Sequence, residues 1–212
     1  MIEGRFIVFE GGEGAGKSTQ ARMLLDALQA IGLEVRLTRE PGGTPGAEAI
    51  RQLLLDPPGE GWNAASEALL FAAARADHVE RAILPALKRG AWVISDRFVD
   101  SSRAYQGGGG GIPDEDLMAL HRIGSGGILP HLTFLLEIDA QLATHRLSQR
   151  DGGVSDAIGG RAAGYHAQVA TAFRRLADAE PQRFIRIDGS GDAERTHHRV
   201  LEALQPFLGA AR

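Results

Sequence analysis

The chain has 212 residues, a formal net charge of −4 and no cysteine. A chain of this length can bury a substantial core, so we expect one domain over residues 1–212. Because the chain has no cysteine, it cannot form disulfides, and a reducing, cytoplasmic setting is favoured. The net negative charge argues against nucleic acid as a partner. The apolar runs are too short to cross a membrane.

Short apolar segments alternate with segments of helical periodicity. The apolar segments, typical of buried parallel strands, are 5–10, 34–38, 91–96, 132–139 and 184–188. The helical segments are 17–31, 66–89 with Pro85 as a kink or break, 114–123, 140–150, 165–179 and 192–207. This alternation predicts βαβ units, and therefore an α/β fold in which a parallel sheet carries helices on both faces.

Two stretches interrupt this pattern. Residues 107–111 are five consecutive glycines, and residues 151–164 are rich in glycine and alanine. Composition favours flexible surface loops at both places. The alternative is a mobile cover over an active site, because such covers need backbone freedom.

A phosphate-binding loop follows the first predicted strand. Residues 11–18 read GGEGAGKS, which satisfies G-x-x-x-x-G-K-[ST] between a strand and a helix. Its glycines let successive N–H groups face one anion, and the helix N-terminus adds partial positive charge. Lys17, one of only two lysines, would neutralise the β- and γ-phosphates of ATP, and the Ser18 hydroxyl would ligate Mg²⁺. The expected nucleotide-binding residues are Gly11, Gly12, Glu13, Gly14, Ala15, Gly16, Lys17, Ser18 and Thr19.

Charged residues follow two further predicted strands. In parallel sheets, ligands bind at the carboxyl ends of the strands. Asp96 closes one strand and could reach a metal ion, and Arg97 beside it suits a bidentate grip on a phosphate. The two side chains could instead form a structural salt bridge.

Phe71 and Arg75 are spaced to share one helix face. A ring that stacks on a base and a guanidinium that bonds its edge would make a base-binding pair. Taken alone, the spacing favours a core phenylalanine beside a surface arginine over a base-binding pair.

Several motifs, in order along nearly the whole chain, resemble those of bacterial thymidylate kinases. They are FIVFEG from Phe6, GAGKSTQ from Gly14, TREPGGT from Thr38, LFAAAR from Leu70, Asp96-Arg97 with AYQGGG from Ala104, and PHLTFLL from Pro130. The resemblance implies a nucleoside-monophosphate-kinase fold with a five-stranded parallel sheet in three layers, usually a homodimer. It also implies the ATP-dependent phosphorylation of dTMP to dTDP, which supplies dTTP for DNA replication, with ATP and Mg²⁺ as cofactors.

The resemblance assigns roles to individual positions. Glu13 matches the carboxylate that meets the dTMP 3′-hydroxyl, and Tyr105 matches the ring that crowds the sugar C2′ and disfavours ribose. Phe71 matches the ring that stacks on thymine. The remaining positions are Arg75 at the edge of the base, Ser102 facing the base, Arg97 on the acceptor phosphate with Arg39 assisting, and Asp96 with Ser18 at the metal.

The resemblance breaks down in the expected lid at 145–162. The phosphate-binding loop has Gly14 where some relatives carry an arginine. The arginine that acts in the transition state must therefore come from the lid. The bacterial lid commonly reads Asp-Arg-Ile-Glu, whereas residues 156–159 read Asp-Ala-Ile-Gly. The candidates are Arg146, Arg150 and Arg161, of which Arg150 is preferred; all three could merely solvate the loop.

Rival interpretations remain open from sequence alone. A loop of this type also serves a kinase for another nucleoside monophosphate, an ATP-hydrolysing switch or a nucleic-acid-dependent ATPase. Arg97 argues against a nucleoside acceptor, because such a clamp requires a phosphate.

Overall fold

The computed structural model describes residues 4–151 and 157–209. Within it, five parallel strands form one sheet in the order β2-β3-β1-β4-β5. The strands are β1 (Phe6–Glu10), β2 (Val35–Arg39), β3 (Trp92–Asp96), β4 (Leu132–Glu137) and β5 (Phe184–Asp188). All five predicted strands are therefore present.

Helices connect the strands. They are α1 (Lys17–Ala30), α2 (Pro45–Leu55), α3 (Ala64–His78), α4 (Leu84–Lys88), α5 (Val99–Ser102), α6 (Asp114–Ser125), α7 (Ala140–Asp151), α8 (Ala163–Ala179) and α9 (Ala193–Gly209), with π-helical segments at Val79–Ile83 and Arg103–Gly109. No helix in the described ranges is long and apolar enough to span a membrane.

The sheet has a buried apolar layer on each face because side chains alternate along β1. Ile7 and Phe9 pack with α1 and α9 on one side, whereas Phe6 and Val8 pack against the π-helical segment Val79–Ile83 and α4 on the other. The β1 strand is fully buried because it has a paired strand on each side and helices above and below.

The structure departs from the expected elements in several places, one of which is the unpredicted short helix α5. The helix α2 was not predicted, although Thr44 caps it by accepting a hydrogen bond from the Ala47 N–H and Pro45 occupies its first position. The expectation of a flexible loop at 107–111 is wrong for residues 107–109, which belong to the π-helical segment Arg103–Gly109. A Cβ at Gly108 would lie 2.3 Å from the Ala172 Cβ, so the glycine allows close packing against α8.

The site lies where β1 and β3 end side by side. Phe9 is in register with Asp96, and the Arg97 N–H donates to the Phe9 carbonyl at 3.0 Å. The residues after both strands therefore share one edge of the sheet, as expected for a ligand site in a parallel α/β fold.

Candidate active site

The loop between β1 and α1 is curled rather than extended. Gly14 has φ 72° and Gly16 has φ 91°, conformations that residues with a Cβ rarely adopt. Gly16 is the N-cap of α1, so the helix begins at Lys17 with its N-terminus facing the loop. Such a loop presents backbone N–H groups and the positive end of a helix to one anion.

Lys17 is an amine held largely out of water. Its side chain is 7% exposed, and its Nζ donates to the Gly12 carbonyl at 2.7 Å. Burial, and then the charge of Arg97, lower the pKa of Lys17 to about 7. A bound phosphate would supply the negative charge that this amine needs to stay protonated.

Ser18 and Asp96 meet across the loop. The Ser18 hydroxyl donates to Asp96 Oδ2, which joins the first turn of α1 to the end of β3. A hydroxyl and a carboxylate are the oxygen ligands that Mg²⁺ prefers, so this pair fits the ion. Within the described residues no cluster of three or more histidine or acidic side chains could hold a metal.

Arg97 spans the space between the phosphate loop and the opposite wall. Its Nη1 donates to the Gly11 carbonyl at 3.2 Å and to Ser101 Oγ at 3.1 Å, and its Nη2 donates to Tyr105 Oη at 3.2 Å. Its Cζ lies 4.9 Å from the centroid of the Tyr105 ring. The backbone of Arg97 is left-handed, with φ 72°, which is uncommon for a residue with a Cβ. The surroundings thus hold this guanidinium in one place and in a strained backbone conformation.

The buried side chain of Glu10 holds a hydroxyl group that contacts Arg97. Glu10 Oε1 accepts from the Phe98 N–H at 2.8 Å, and Oε2 accepts from the Ser101 hydroxyl at 2.6 Å. Burial, and then the nearby carboxylate of Asp100, raise the pKa of Glu10 to about 7. Because Ser101 also contacts Arg97, Glu10 helps to fix the guanidinium.

Arg75 is held on the opposite side of the site. Its Nε donates to Glu40 Oε2 at 2.7 Å, and its Nη2 donates to Ser102 Oγ at 2.8 Å. Burial alone would raise the pKa of Glu40, but Arg75 and His78 hold it below its usual value. Arg75 is therefore a buried cation with a buried anionic partner, rather than a surface arginine.

One cavity of about 520 Å³ has Lys17, Ser18, Asp96 and Arg97 in its lining. Its lining includes Glu13, Gly14, Gly16, Lys17, Ser18, Thr19, Arg39, Glu40, Arg51, Phe71, Asp96, Arg97, Ser102, Tyr105, Gln106, Arg146 and Ile158. The phosphate loop forms one part of the lining, and Phe71, Ser102 and Tyr105 come from α3, α5 and the π-helical segment Arg103–Gly109.

Comparison with known proteins identifies the family. The thymidylate kinase family model matches residues 9–200. The chain belongs to the thymidylate kinase family. It is 52% identical to the thymidylate kinase of Rhizorhabdus wittichii over 98% of this chain and 100% of that one, and 44% identical to that of Caulobacter vibrioides over 99% and 100%. The crystal structure of thymidylate kinase from Ehrlichia chaffeensis superposes with a TM-score of 0.79 at 31% identity, over 95% of this chain and 99% of that one.

Family membership confirms the expected fold and reaction. The fold is that of the nucleoside monophosphate kinases with a phosphate loop, and the enzyme is a phosphotransferase. Its reaction is the ATP-dependent phosphorylation of dTMP to dTDP, so the switch and the other nucleotide kinases are set aside.

Apart from the lid arginines, all but four of the expected site residues of this kinase line the cavity. Gly11 and Gly12 form the base of the loop, Ala15 is buried in the core, and Arg75 lies behind Glu40 and Ser102. Arg39 reaches the cavity edge, with a side chain that is 56% exposed and paired with Glu48.

The three candidate lid arginines have different surroundings. Arg146 lines the cavity and donates to the carbonyls of Gly189 and Gly191. Arg161 is bonded instead to Glu67 and Tyr165. The side chain of the preferred Arg150 lies outside the described residues, as does Asp156.

Several lining residues were given no role from sequence, among them the polar residues Glu40, Arg51, Ser101 and Gln106. Glu40 lies within the motif TREPGGT and Gln106 within AYQGGG, so these motifs were the available sequence signal. Nothing in the local pattern marks Arg51, a helix residue whose guanidinium donates to the Pro41 carbonyl.

Proposed function

We propose that the two nucleotides of this reaction meet in the cavity between the phosphate loop and Arg97. ATP lies with its phosphates on residues 11–19 and Lys17, and dTMP lies with its phosphate on Arg97. The observation that carries this proposal is the span of Arg97, which contacts the loop through Gly11 and the opposite wall through Tyr105.

The chemistry needs positioning and positive charge more than covalent help. A dTMP phosphate oxygen attacks the γ-phosphorus of ATP in line, and the bond to the ADP oxygen breaks. The negative charges of the two nucleotides' phosphates stay within reach of Lys17 and Arg97. Ser18 and Asp96 would hold Mg²⁺. When bound, the ion would neutralise charge on the β- and γ-phosphates.

Base and sugar roles are proposed for residues that line the cavity and for Arg75, which lies behind its wall. We propose that Phe71 stacks on thymine, that Ser102 faces the base and that Arg75 bonds its edge. This placement of Arg75 is supported by Nη1, which has no hydrogen-bond acceptor among the described residues, whereas Nε and Nη2 are engaged. Glu13 would meet the 3′-hydroxyl, and Tyr105 would crowd the sugar C2′. Arg39, at the rim, would assist with the acceptor phosphate.

The lid and the domain organisation are part of the proposal. We propose one kinase domain with a lid at about residues 145–162 that excludes water during transfer. Arg150 would supply the transition-state charge, and Arg146 is the alternative because it lines the cavity. The setting would be the cytoplasm, in keeping with a cysteine-free chain.

We also propose a homodimer built on α3 and α6. These helices pack closely, because a Cβ at Gly124 would lie 3.2 Å from the Ala76 Cβ. Outward from them, Leu69 is 56% exposed and Ile123 is 84% exposed. Large apolar side chains on two adjacent helices are suited to burial against a second copy.

Replacing Arg97 tests the acceptor site. In Arg97→Ala, kcat/KM for dTMP should fall by about 10²–10³-fold, because a charged donor to the acceptor phosphate is lost. The Kd for ATP should change little, since Lys17 and the loop remain. Arg89→Ala, at the opposite end of the sheet just before β3, is the matched control and should behave as the parent does. If Arg97→Ala weakened ATP binding by the same factor as it lowered kcat/KM for dTMP, the assignment of Arg97 to the acceptor phosphate would be contradicted.

A further inference from the structure

Gln106 lies in the wall of the cavity with its amide held in one orientation. The side chain is 2% exposed, and its Nε2 donates to Glu67 Oε1 at 2.8 Å. An ionised carboxylate only accepts hydrogen bonds, so the NH₂ of the amide must face Glu67 and the carbonyl must face away. Among the described residues, no donor bonds to Gln106 Oε1. The cavity therefore has a fixed acceptor on the side of Gln106.

Arg161 holds Glu67 from its other side. The Arg161 guanidinium donates through Nη2 to Glu67 Oε2, and through Nη1 to Tyr165 Oη at 2.6 Å. Tyr165 in turn donates to the Tyr105 carbonyl at 2.9 Å. Each carboxylate oxygen of Glu67 thus has its own partner, and rotation of the carboxylate would break both contacts.

A fixed acceptor distinguishes pyrimidines by the proton at N3. Thymine and uracil carry an N3–H donor, whereas cytosine carries a lone pair at N3. An amide carbonyl aimed at this atom gains a hydrogen bond with thymine and faces lone-pair repulsion with cytosine. If the amide turned over, its NH₂ would suit cytosine instead.

We propose that Glu67, held by Arg161, is a specificity-determining positioning residue that selects N3–H pyrimidines by fixing the amide of Gln106. Glu67 does not line the main cavity and acts only through Gln106. The inference rests on the proposed placing of the base beside Phe71.

The test is the ratio of kcat/KM for dTMP to that for dCMP. In Glu67→Gln, residue 67 can both donate and accept, so either orientation of the Gln106 amide is satisfied. The ratio should fall by about 10- to 100-fold, the range expected when one buried hydrogen bond loses its partner. The ratio of dTMP to dUMP and the KM for ATP should not move, because both pyrimidines carry the N3–H.

Two further variants keep the outcome decisive. Gln106→Met removes the acceptor at similar volume and should lower the same ratio, and adding Glu67→Gln to it should cause no further fall. An unchanged ratio in folded Glu67→Gln overturns the inference. If Glu67→Gln does not fold, an unchanged ratio in Gln106→Met overturns it instead. An additive effect of the two changes in the double variant also overturns it.

Phe71→Ala separates this inference from the placing of the base. If Phe71→Ala raises the KM for dTMP while Glu67→Gln leaves the ratio unchanged, only the role of Glu67 is wrong. If Phe71→Ala leaves the KM for dTMP unchanged, the base does not lie there, and both proposals fail.

Discussion

Lys17 carries its charge in a place from which most water has been removed. Its pKa of about 7 follows from burial and from the nearby Arg97, neither of which changes until an anion enters. Above this pH the amine of the nucleotide-free enzyme is largely neutral. Binding of ATP phosphates favours the protonated form, so binding takes up a proton.

The affinity for ATP should therefore fall as the pH rises from 7 to 9, approaching about tenfold per pH unit for one proton taken up. Direct titration of ATP binding at constant ionic strength measures this slope. Lys17→Arg provides the control, because its guanidinium stays charged throughout and should give a flat profile. The same slope in Lys17→Arg would show that another group takes up the proton.

Elements with a local signal could be predicted from sequence, and elements defined by distant contacts could not. The five strands are apolar runs, and the loop at 11–18 is a contiguous motif, so both were found. The helix α2 was missed because proline and glycine around it indicate a turn, although Thr44 and Pro45 in fact start a helix. The composition of the five glycines indicated a loop, whereas Gly108 packs closely against Ala172 in α8, a contact that the sequence does not reveal.

The same distinction holds in the site. The positions of Lys17, Asp96 and Arg97 beside one cavity could be predicted because each residue stands at a strand end or in a motif. The buried pairing of Arg75 with Glu40 could not, since its members come from α3 and from the end of β2, 35 positions apart. The spacing of Phe71 and Arg75 suggested a surface arginine as one alternative. The fold instead buries Arg75 against the carboxylate of Glu40.

The helices α3 and α6 carry the prediction for assembly. Ile123→Glu should convert a dimer into a monomer, because a carboxylate would have to be desolvated at the contact. Sedimentation velocity over a range of protein concentrations measures the change. Ile31→Glu, a change of similar exposure just after α1, should leave the mass unaltered. Equal masses for Ile123→Glu and the parent protein would locate the interface elsewhere or remove it.

The two phosphate sites proposed for this chain share one cavity. β1 and β3 end side by side, so the loop proposed to hold ATP and the guanidinium proposed to hold the dTMP phosphate are neighbours in the fold. A network of Asp100, Arg103 and Arg183 ties the segment after Arg97 to the loop before β5. The acceptor side is therefore attached to a rigid part of the fold.

ADP release from Mg²⁺ and ATP, compared between dTMP and thymidine as acceptors, tests this arrangement most directly. With dTMP, turnover should be rapid, and dUMP should be poorer by about 10- to 200-fold, the value of one methyl group in a pocket. With thymidine, or with no acceptor, turnover should stay at background, because Arg97 then has no phosphate to bind. Thymidine turnover equal to that of dTMP, or ADP release that needs no acceptor, would contradict the account.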